Sequence, residues 1–230
     1  MSYPEITVPQ EEALSLDTFR EMDYYAVAQY HLPIELMMES AGLNLALLTA
    51  TKFPNLKTKI LVGVGPGNNG GGGLVAARRL AAWGYEVQID LLTEKLNELP
   101  ALQLKRALKF GVKRYKNVIP DVIVDAYLGF SQRPPLRENL VQKLEAFNKM
   151  KAYRISLDLP TGLFDSDSQL FFNADTVLTL AAPKKILYHP QLVNMQLFVA
   201  DLGIPSEVYE KFCVNFHLPF NKNSILKVNR

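Results

Sequence analysis

The sequence predicts a doubly wound α/β protein, a mostly parallel sheet with helices on both faces, preceded by a helical extension. Three observations carry this reading. Short apolar runs and helical segments alternate over most of the chain, as in a parallel sheet built from crossover units. The first apolar run, Ile60-Leu61-Val62-Gly63-Val64, has no polar face, which suits a strand buried on both sides. A glycine-rich segment follows it directly and precedes a helix, where open α/β sheets place their ligands.

Taken in order, residues 14–50 carry apolar side chains at helical spacing, first Phe19, Met22, Ala26 and Val27, then Leu36, Met37, Ala41 and Leu47. His31-Leu32-Pro33 divides them into two helices. After the first strand, residues 74–83 are rich in Ala, Leu and Arg and stop at Gly84, a helix-terminating glycine. Residues 85–91 then alternate as a strand. A helix at 101–110, a strand at 122–125, a helix at 136–147 and a strand at 154–159 follow, with further strands at 176–180 and 197–200. No polar linker, internal repeat or low-complexity tract divides the chain, so a single domain is expected: an extension at 1–55, a core at 56–205 and a C-terminal tail at 206–230.

Composition narrows the function. The 230 residues are 48% hydrophobic and 21% charged, the profile of an ordinary globular protein. Lys and Arg number 25 against 23 Asp and Glu, a balance that favours neither a nucleic-acid nor a membrane partner. A single cysteine, Cys213, excludes an internal disulfide and a cysteine-built zinc site. With no apolar leader and no apolar run of membrane-spanning length, the expected compartment is the cytoplasm, or an organellar matrix.

The strongest local signal is Gly65-Pro66-Gly67-Asn68-Asn69-Gly70-Gly71-Gly72-Gly73. Such a turn offers bare N–H groups at a helix N-terminus, where the dipole favours a phosphate. Residues 65–70 also match G-x-G-x-x-G literally, with Asp90 near the end of the second strand as a ribose-binding acid. A Walker loop fails, because Leu74 follows Gly73 and no Lys-Ser or Lys-Thr pair is present.

Two further segments end apolar strands and should open on the same sheet edge: Asp125-Ala126-Tyr127-Leu128-Gly129 and Asp158-Leu159-Pro160-Thr161-Gly162. Either aspartate alone could cap the next helix. Together, Asp125, Asp158, Asn69 and Thr161 offer hard oxygen donors suited to a cation, and paired carboxylates suit acid/base work.

With these segments in order, the chain resembles the NAD(P)HX epimerase family, the YjeF N-terminal domain. Gly65 to Gly73 match its GPGNNGGDG motif except at Gly72; Val124 to Gly129 match its VDA-x-x-G element, and Asp158 to Gly162 its D-I/L-P-S/T-G element. Leu36-Met37-Met38-Glu39-Ser40-Ala41-Gly42, Ala182-Pro183-Lys184-Lys185 and Ala200-Asp201-Leu202-Gly203-Ile204-Pro205 extend the likeness to nearly the whole chain. The resemblance implies a Rossmann-like fold that interconverts the R and S forms of NADHX and NADPHX, hydrated nicotinamide cofactors, and so serves metabolite repair. It implies a potassium ion on Asn69, Asp125 and Thr161. Substrate contacts would fall on Asn68, Asn69, Gly70, Gly71 and Gly72, on Gly129, Phe130, Ser131, Gln132 and Arg133, and on Asp158, with Asp158 the catalytic acid/base.

Gly72 stands where the family carries Asp, and two readings stay open. One is an active epimerase. The other is a catalytically impaired member acting as a nucleotide-binding or protein-interaction module. A third, an NAD oxidoreductase, lacks a Tyr-x-x-x-Lys pair or a placed catalytic histidine. His31, His189 and His217 read as structural or solvated. Lys184-Lys185 reads as a solvated pair, and Met37-Met38 as core or subunit packing in a homodimer.

Overall fold

The computed structural model describes residues 3–164, 170–212 and 214–230. The chain opens with β1 (Glu5–Thr7), α1 (Leu16–Tyr30) and α2 (Ile34–Lys52), then alternates β2 (Lys59–Val64), α3 (Asn68–Ala82), β3 (Glu86–Leu91) and α4 (Glu98–Lys109). It continues with β4 (Lys113–Arg114), β5 (Val122–Ala126), α5 (Glu138–Lys149), β6 (Tyr153–Leu157) and β7 (Thr176–Leu180). Two 3-10 turns lead to β8 (Gln196–Ala200), α6 (Ser206–Lys211) and β9 (Ile225–Asn229). The strands form one sheet in the order β1-β9-β8-β7-β6-β5-β2-β3-β4. Every pairing is parallel except β8 with β9. This is the expected Rossmann-like α/β fold.

Strand alternation builds the two layers. Ile60, Val62 and Val64 pack with Leu45 of α2, Leu74 and Leu80 of α3 and Ala107 of α4. Leu61 and Ile123 point the other way, into a cluster with Leu140, Leu144 and Phe147 of α5 and with Tyr127. Ser15 starts α1 by accepting the Thr18 N–H at 3.0 Å, and His31, in the left-handed region at φ 49°, ends it. Phe19, Met22 and Ala26 of α1 then pack on Ala181, Ala182 and Leu202 beyond the ends of β7 and β8.

Two expectations change. The glycine run is not a turn before a helix: α3 starts at Asn68 with Gly67 as its N-cap, so Gly70 to Gly73 are helical. Glycine's poor helix propensity is outweighed by close approach, since a Cβ on Gly70 would lie 2.0 Å from the Gly65 carbonyl oxygen. The segment at 206–230, read as a tail, supplies α6 and β9, and β9 pairs with β1 and so draws the N-terminus into the sheet.

Candidate functional site

The chain reverses direction across the sheet between β2 and β5, and parallel pairing puts the C-terminal ends of β2, β5, β6 and β7 on one edge. The expected site segments meet there. The free donors at the α3 N-terminus are fewer than the glycine count implies, because the Gly71 N–H already donates to the Gly67 carbonyl at 3.1 Å. The first turn leaves the N–H groups of Asn68, Asn69 and Gly70. Asn68 is exposed and Asn69 half-buried, while Gly70, Gly71 and Gly72 are buried. Gly71 and Gly72 lie past the orphan donors of the first turn, Gly71 close to Met38 and Gly72 close to Leu157. Gly67 faces open space, with nothing within 4 Å of a Cβ placed there.

Asp125, at the end of β5, is fully buried. Its Oδ1 accepts from the Thr161 hydroxyl (2.7 Å) and the Tyr127 N–H (3.2 Å). Its Oδ2 accepts from the Thr161 N–H (2.8 Å) and the Ser156 hydroxyl (3.0 Å). All four donors are neutral. Burial outweighs them and pushes the carboxyl up to about 6. A buried carboxylate with hydroxyl and amide neighbours and no cationic partner among these contacts fits an oxygen-ligated cation, which would favour its charged form. Thr161 also accepts the Leu128 N–H at 3.1 Å, and Asn69 is oriented by donating Nδ2–H to the Leu157 carbonyl at 3.3 Å. Among the described residues no group of three or more His, Cys, Asp or Glu side chains is arranged for a metal, so any such site depends on amide and hydroxyl oxygens.

Asp158 follows β6 in the left-handed region at φ 68° and is 1% exposed. A non-glycine residue held so is strained, and such strain collects at functional sites. Its Oδ2 accepts the Phe130 N–H at 2.7 Å. Gly129 lets this carboxylate and Asn69 close in: a Cβ there would lie 2.9 Å from Asp158 Oδ2 and 3.2 Å from Asn69 Oδ1.

The loop at 129–133 divides in role. Phe130 packs edge-on to Phe19 of α1 at 5.0 Å between centroids. Gln132 is a brace, its Oε1 accepting the Gly162 N–H at 2.7 Å and its Nε2 donating to the Pro160 carbonyl at 3.2 Å. Ser131 and Arg133 are exposed.

Asp90 does not present a free carboxylate for a ribose. It is bound to Lys143 Nζ at 2.6 Å and accepts the Tyr127 hydroxyl, which weakens the oxidoreductase reading. Lys184 overturns its solvated reading, being wholly buried with Nζ 2.8 Å from Asp158 Oδ1. Asp23 of α1 belongs to the same cluster; burial, then the charge of Asp158, push its carboxyl up to about 6 against the pull of Lys184. Sequence reading missed both. The one available signal was Lys184 directly after an apolar strand and Ala-Ala-Pro.

Comparison with known proteins shows the family. The description "YjeF-related protein N-terminus" matches residues 34–186. A protein of Rhodopirellula baltica named NAD(P)H-hydrate epimerase is 33% identical over 90% of this chain and 91% of its own. One of the same name from Dehalogenimonas lykanthroporepellens is 36% identical, covering 90% and 89%. A bifunctional NAD(P)H-hydrate repair enzyme Nnr of Archaeoglobus fulgidus is 36% identical over 77% of this chain but 39% of its own length. The crystal structure of a yeast protein superposes with a TM-score of 0.85 at 27% identity, covering 94% of this chain and 99% of that one. Fold, motif placement and these likenesses agree, and the chain belongs to the YjeF-related N-terminal domain family.

Proposed function

We propose that this protein interconverts the R and S epimers of NADHX and NADPHX at the hydroxyl-bearing carbon of the hydrated nicotinamide ring. The observation that carries this is Asp158: buried, strained, and held between Asn69, Gly129 and the Phe130 N–H at the edge where the α3 N-terminus offers donors for phosphate. Epimerisation needs little more. The ring nitrogen pushes the hydroxyl off as water once it gains a proton, and water returns to the other face and gives up a proton. Asp158 is assigned that proton exchange. The N–H groups of Asn68, Asn69 and Gly70 are assigned to the pyrophosphate, and exposed Ser131 and Arg133 to the outer part of the dinucleotide.

Asn69, Asp125 and Thr161 are assigned to a potassium ion, which would supply the positive charge that the buried Asp125 lacks. The lone cysteine suits a reducing compartment, the cytoplasm or an organellar matrix. Among the described residues no helix is long and apolar enough to cross a membrane. A homodimer is proposed through the exposed part of α2, where Leu36 is 55% exposed.

One observation favours the second reading. A Cβ on Gly72 would lie 3.0 Å from Leu157 Cδ2 and 3.9 Å from Ala41 Cβ, so its immediate neighbours are apolar. The test is the R epimer of NADHX incubated with the protein and an S-specific dehydratase. The expected outcome is consumption of the R form faster than it epimerises spontaneously. Binding without acceleration would overturn the enzyme reading in favour of a nucleotide-binding module.

A further inference from the structure

Lys184 is the most deeply buried cation among the described residues, at 0% exposure. It follows β7 by four residues. The chain there turns through Ala181, at φ 60°, and the Lys184 ammonium folds back under its own loop. Nζ donates to Thr179 Oγ1 at 3.0 Å and to the Leu180 and Ala182 carbonyls at 2.8 and 3.4 Å. Asp158 Oδ1 lies 2.8 Å from Nζ, so the ammonium also reaches this carboxylate.

The N-terminal helix closes this pair from above. The Phe19 ring centre lies 3.7 Å from Nζ, and the same ring packs on Phe130, whose N–H holds the other oxygen of Asp158. Asp23, one turn further along α1, brings a second carboxyl toward the same ammonium. Leu14, just before α1, is tied to the lysine loop by its N–H to the Pro183 carbonyl (3.0 Å) and its carbonyl to the Lys185 N–H (2.8 Å). From α6, the Tyr209 hydroxyl reaches only the Ala181 carbonyl.

We propose that Lys184 is a positioning residue for Asp158, a buried partner that anchors Oδ1 and so fixes how this carboxyl group is presented to the reacting atoms, with α1 as the cover that excludes water from the pair. The inference rests on the acid/base role assigned to Asp158 above. Oδ1 is held against the ammonium, while Oδ2 accepts the Phe130 N–H and lies on the side of Gly129 and Asn69. Oδ2 is therefore the oxygen turned toward the site edge, and Oδ1 the one the lysine anchors.

A purely structural role fits poorly. Burying an ammonium and a carboxylate carries a large desolvation cost, and packed apolar side chains would stabilise such a position as well or better. Burial pulls the Lys184 ammonium below its ordinary value, while Asp158 and Asp23 push it back up. Asp23 has no contact of matching closeness, so Lys184 serves Asp158 first.

The test is the turnover of the R epimer by full-length Lys184→Met and Lys184→Arg proteins, with kcat and KM measured separately. For Lys184→Met, kcat should fall at least tenfold with KM within twofold of wild type. Lys184→Arg, which keeps a cation there, should restore most of the lost kcat. A folded Lys184→Met protein with unchanged kcat, or a Lys184→Arg protein no faster than Lys184→Met, overturns the proposal. If Lys184→Met does not fold, Lys184→Met/Asp158→Asn should, since the unpaired buried carboxylate is gone; a double variant no more stable than the single overturns the pairing. Wild-type protein without turnover sinks the epimerase reading itself, whereas active wild type with an unaltered Lys184→Met variant sinks only the role of the lysine.

Discussion

Thr161 grips Asp125 with both of its donors, the N–H to Oδ2 at 2.8 Å and the hydroxyl to Oδ1 at 2.7 Å. The two residues come from different crossover units, and the grip locks the loop after β6 to the end of β5. Thr161→Val removes the hydroxyl bond and leaves the Leu128 N–H without its acceptor, while Thr161→Ser keeps both. Hydrogen bonds to a charged group contribute about 1.5 to 3 kcal/mol. Thr161→Val should therefore lose about 2 kcal/mol in denaturant unfolding, together with any rise in Tm on adding potassium, and Thr161→Ser should lose neither. Equal potassium responses in both variants would remove Thr161 from the ion site.

Stability should fall as pH rises. Asp125 and Asp23 are both pushed up to about 6 in the folded protein, in each case first by burial, against about 3.9 for an unfolded aspartate. Between those values the folded chain holds protons that the unfolded chain has released. The stabilisation is thus full below about pH 4 and lost as pH passes through 6, by roughly 3 kcal/mol for each group. Glu39, where Arg79, Arg78 and Gln103 outweigh burial, is held low and acts in the opposite sense only at more acidic pH. In potassium-free buffer, the guanidinium midpoint should drop between pH 5 and 7.5, and less steeply in Asp23→Asn. Identical slopes would show that Asp23 is not the titrating group.

Much of this was legible in the sequence, for reasons particular residues make plain. Ile60 to Val64 announce a buried strand because parallel strands are covered on both faces, and Asp125 and Asp158 stand out because each ends an apolar run at a strand's carboxyl end. What escaped depends on long-range packing. Lys184 looks like any surface lysine until Phe19 of α1 and Asp158 arrive from 165 and 26 residues away to bury it. Asp23 sits on a helix whose polar and apolar faces are weakly separated in sequence. The strand β9 spans five residues, and its place is set by partners at both ends of the chain, Glu5 to Thr7 and Leu197 to Ala200. Gly70 to Gly73 read as a loop because propensity disfavours helical glycine, and only their close neighbours, Gly65, Met38, Leu157 and Ala126 in turn, reveal why they are there.

The glycines of that segment should respond differently to substitution. Gly70→Ala drives a Cβ into the Gly65 carbonyl oxygen at 2.0 Å, a backbone contact that no rotamer change relieves. It should cost more than about 3 kcal/mol, at the upper end of overpacking effects. Gly67→Ala meets nothing within 4 Å, at an N-cap φ of −96° that alanine adopts freely. That protein should fold with unchanged Tm while a new methyl enters the space in front of the α3 N-terminus. Titration with NADPH as the nucleotide probe should show roughly tenfold weaker binding, a loss of about 1.4 kcal/mol. Undiminished binding would place the dinucleotide away from this helix end.

Gly72 sets two effects against each other. It lies in the body of α3 with a helical backbone, so Asp there meets no conformational barrier and gains some helix propensity over glycine. The obstacle is its surroundings: Leu157 Cδ2 would stand 3.0 Å from the new Cβ and must give way by a few tenths of an ångström, and Ala41 closes the other side. A carboxylate arriving there is taken out of water and set against the apolar side chains of Leu157 and Ala41. Gly72→Asp should therefore be less stable than wild type by roughly 2 kcal/mol, whereas Gly72→Ala, with no charge to bury, should stay within about 1 kcal/mol. An aspartate here matches the family's motif, and the gain expected from it is a charge-assisted contact to the ring hydroxyl. One such bond is worth about 1.5 to 3 kcal/mol, so R-epimer turnover per folded molecule should rise roughly ten- to a hundredfold over wild type. A folded Gly72→Asp protein no faster than wild type would mean that Asp158 with its lysine carries the chemistry without help from position 72. Wild-type turnover indistinguishable from the spontaneous rate, gained only on introducing the aspartate, would mean that the native chain binds the dinucleotide without epimerising it.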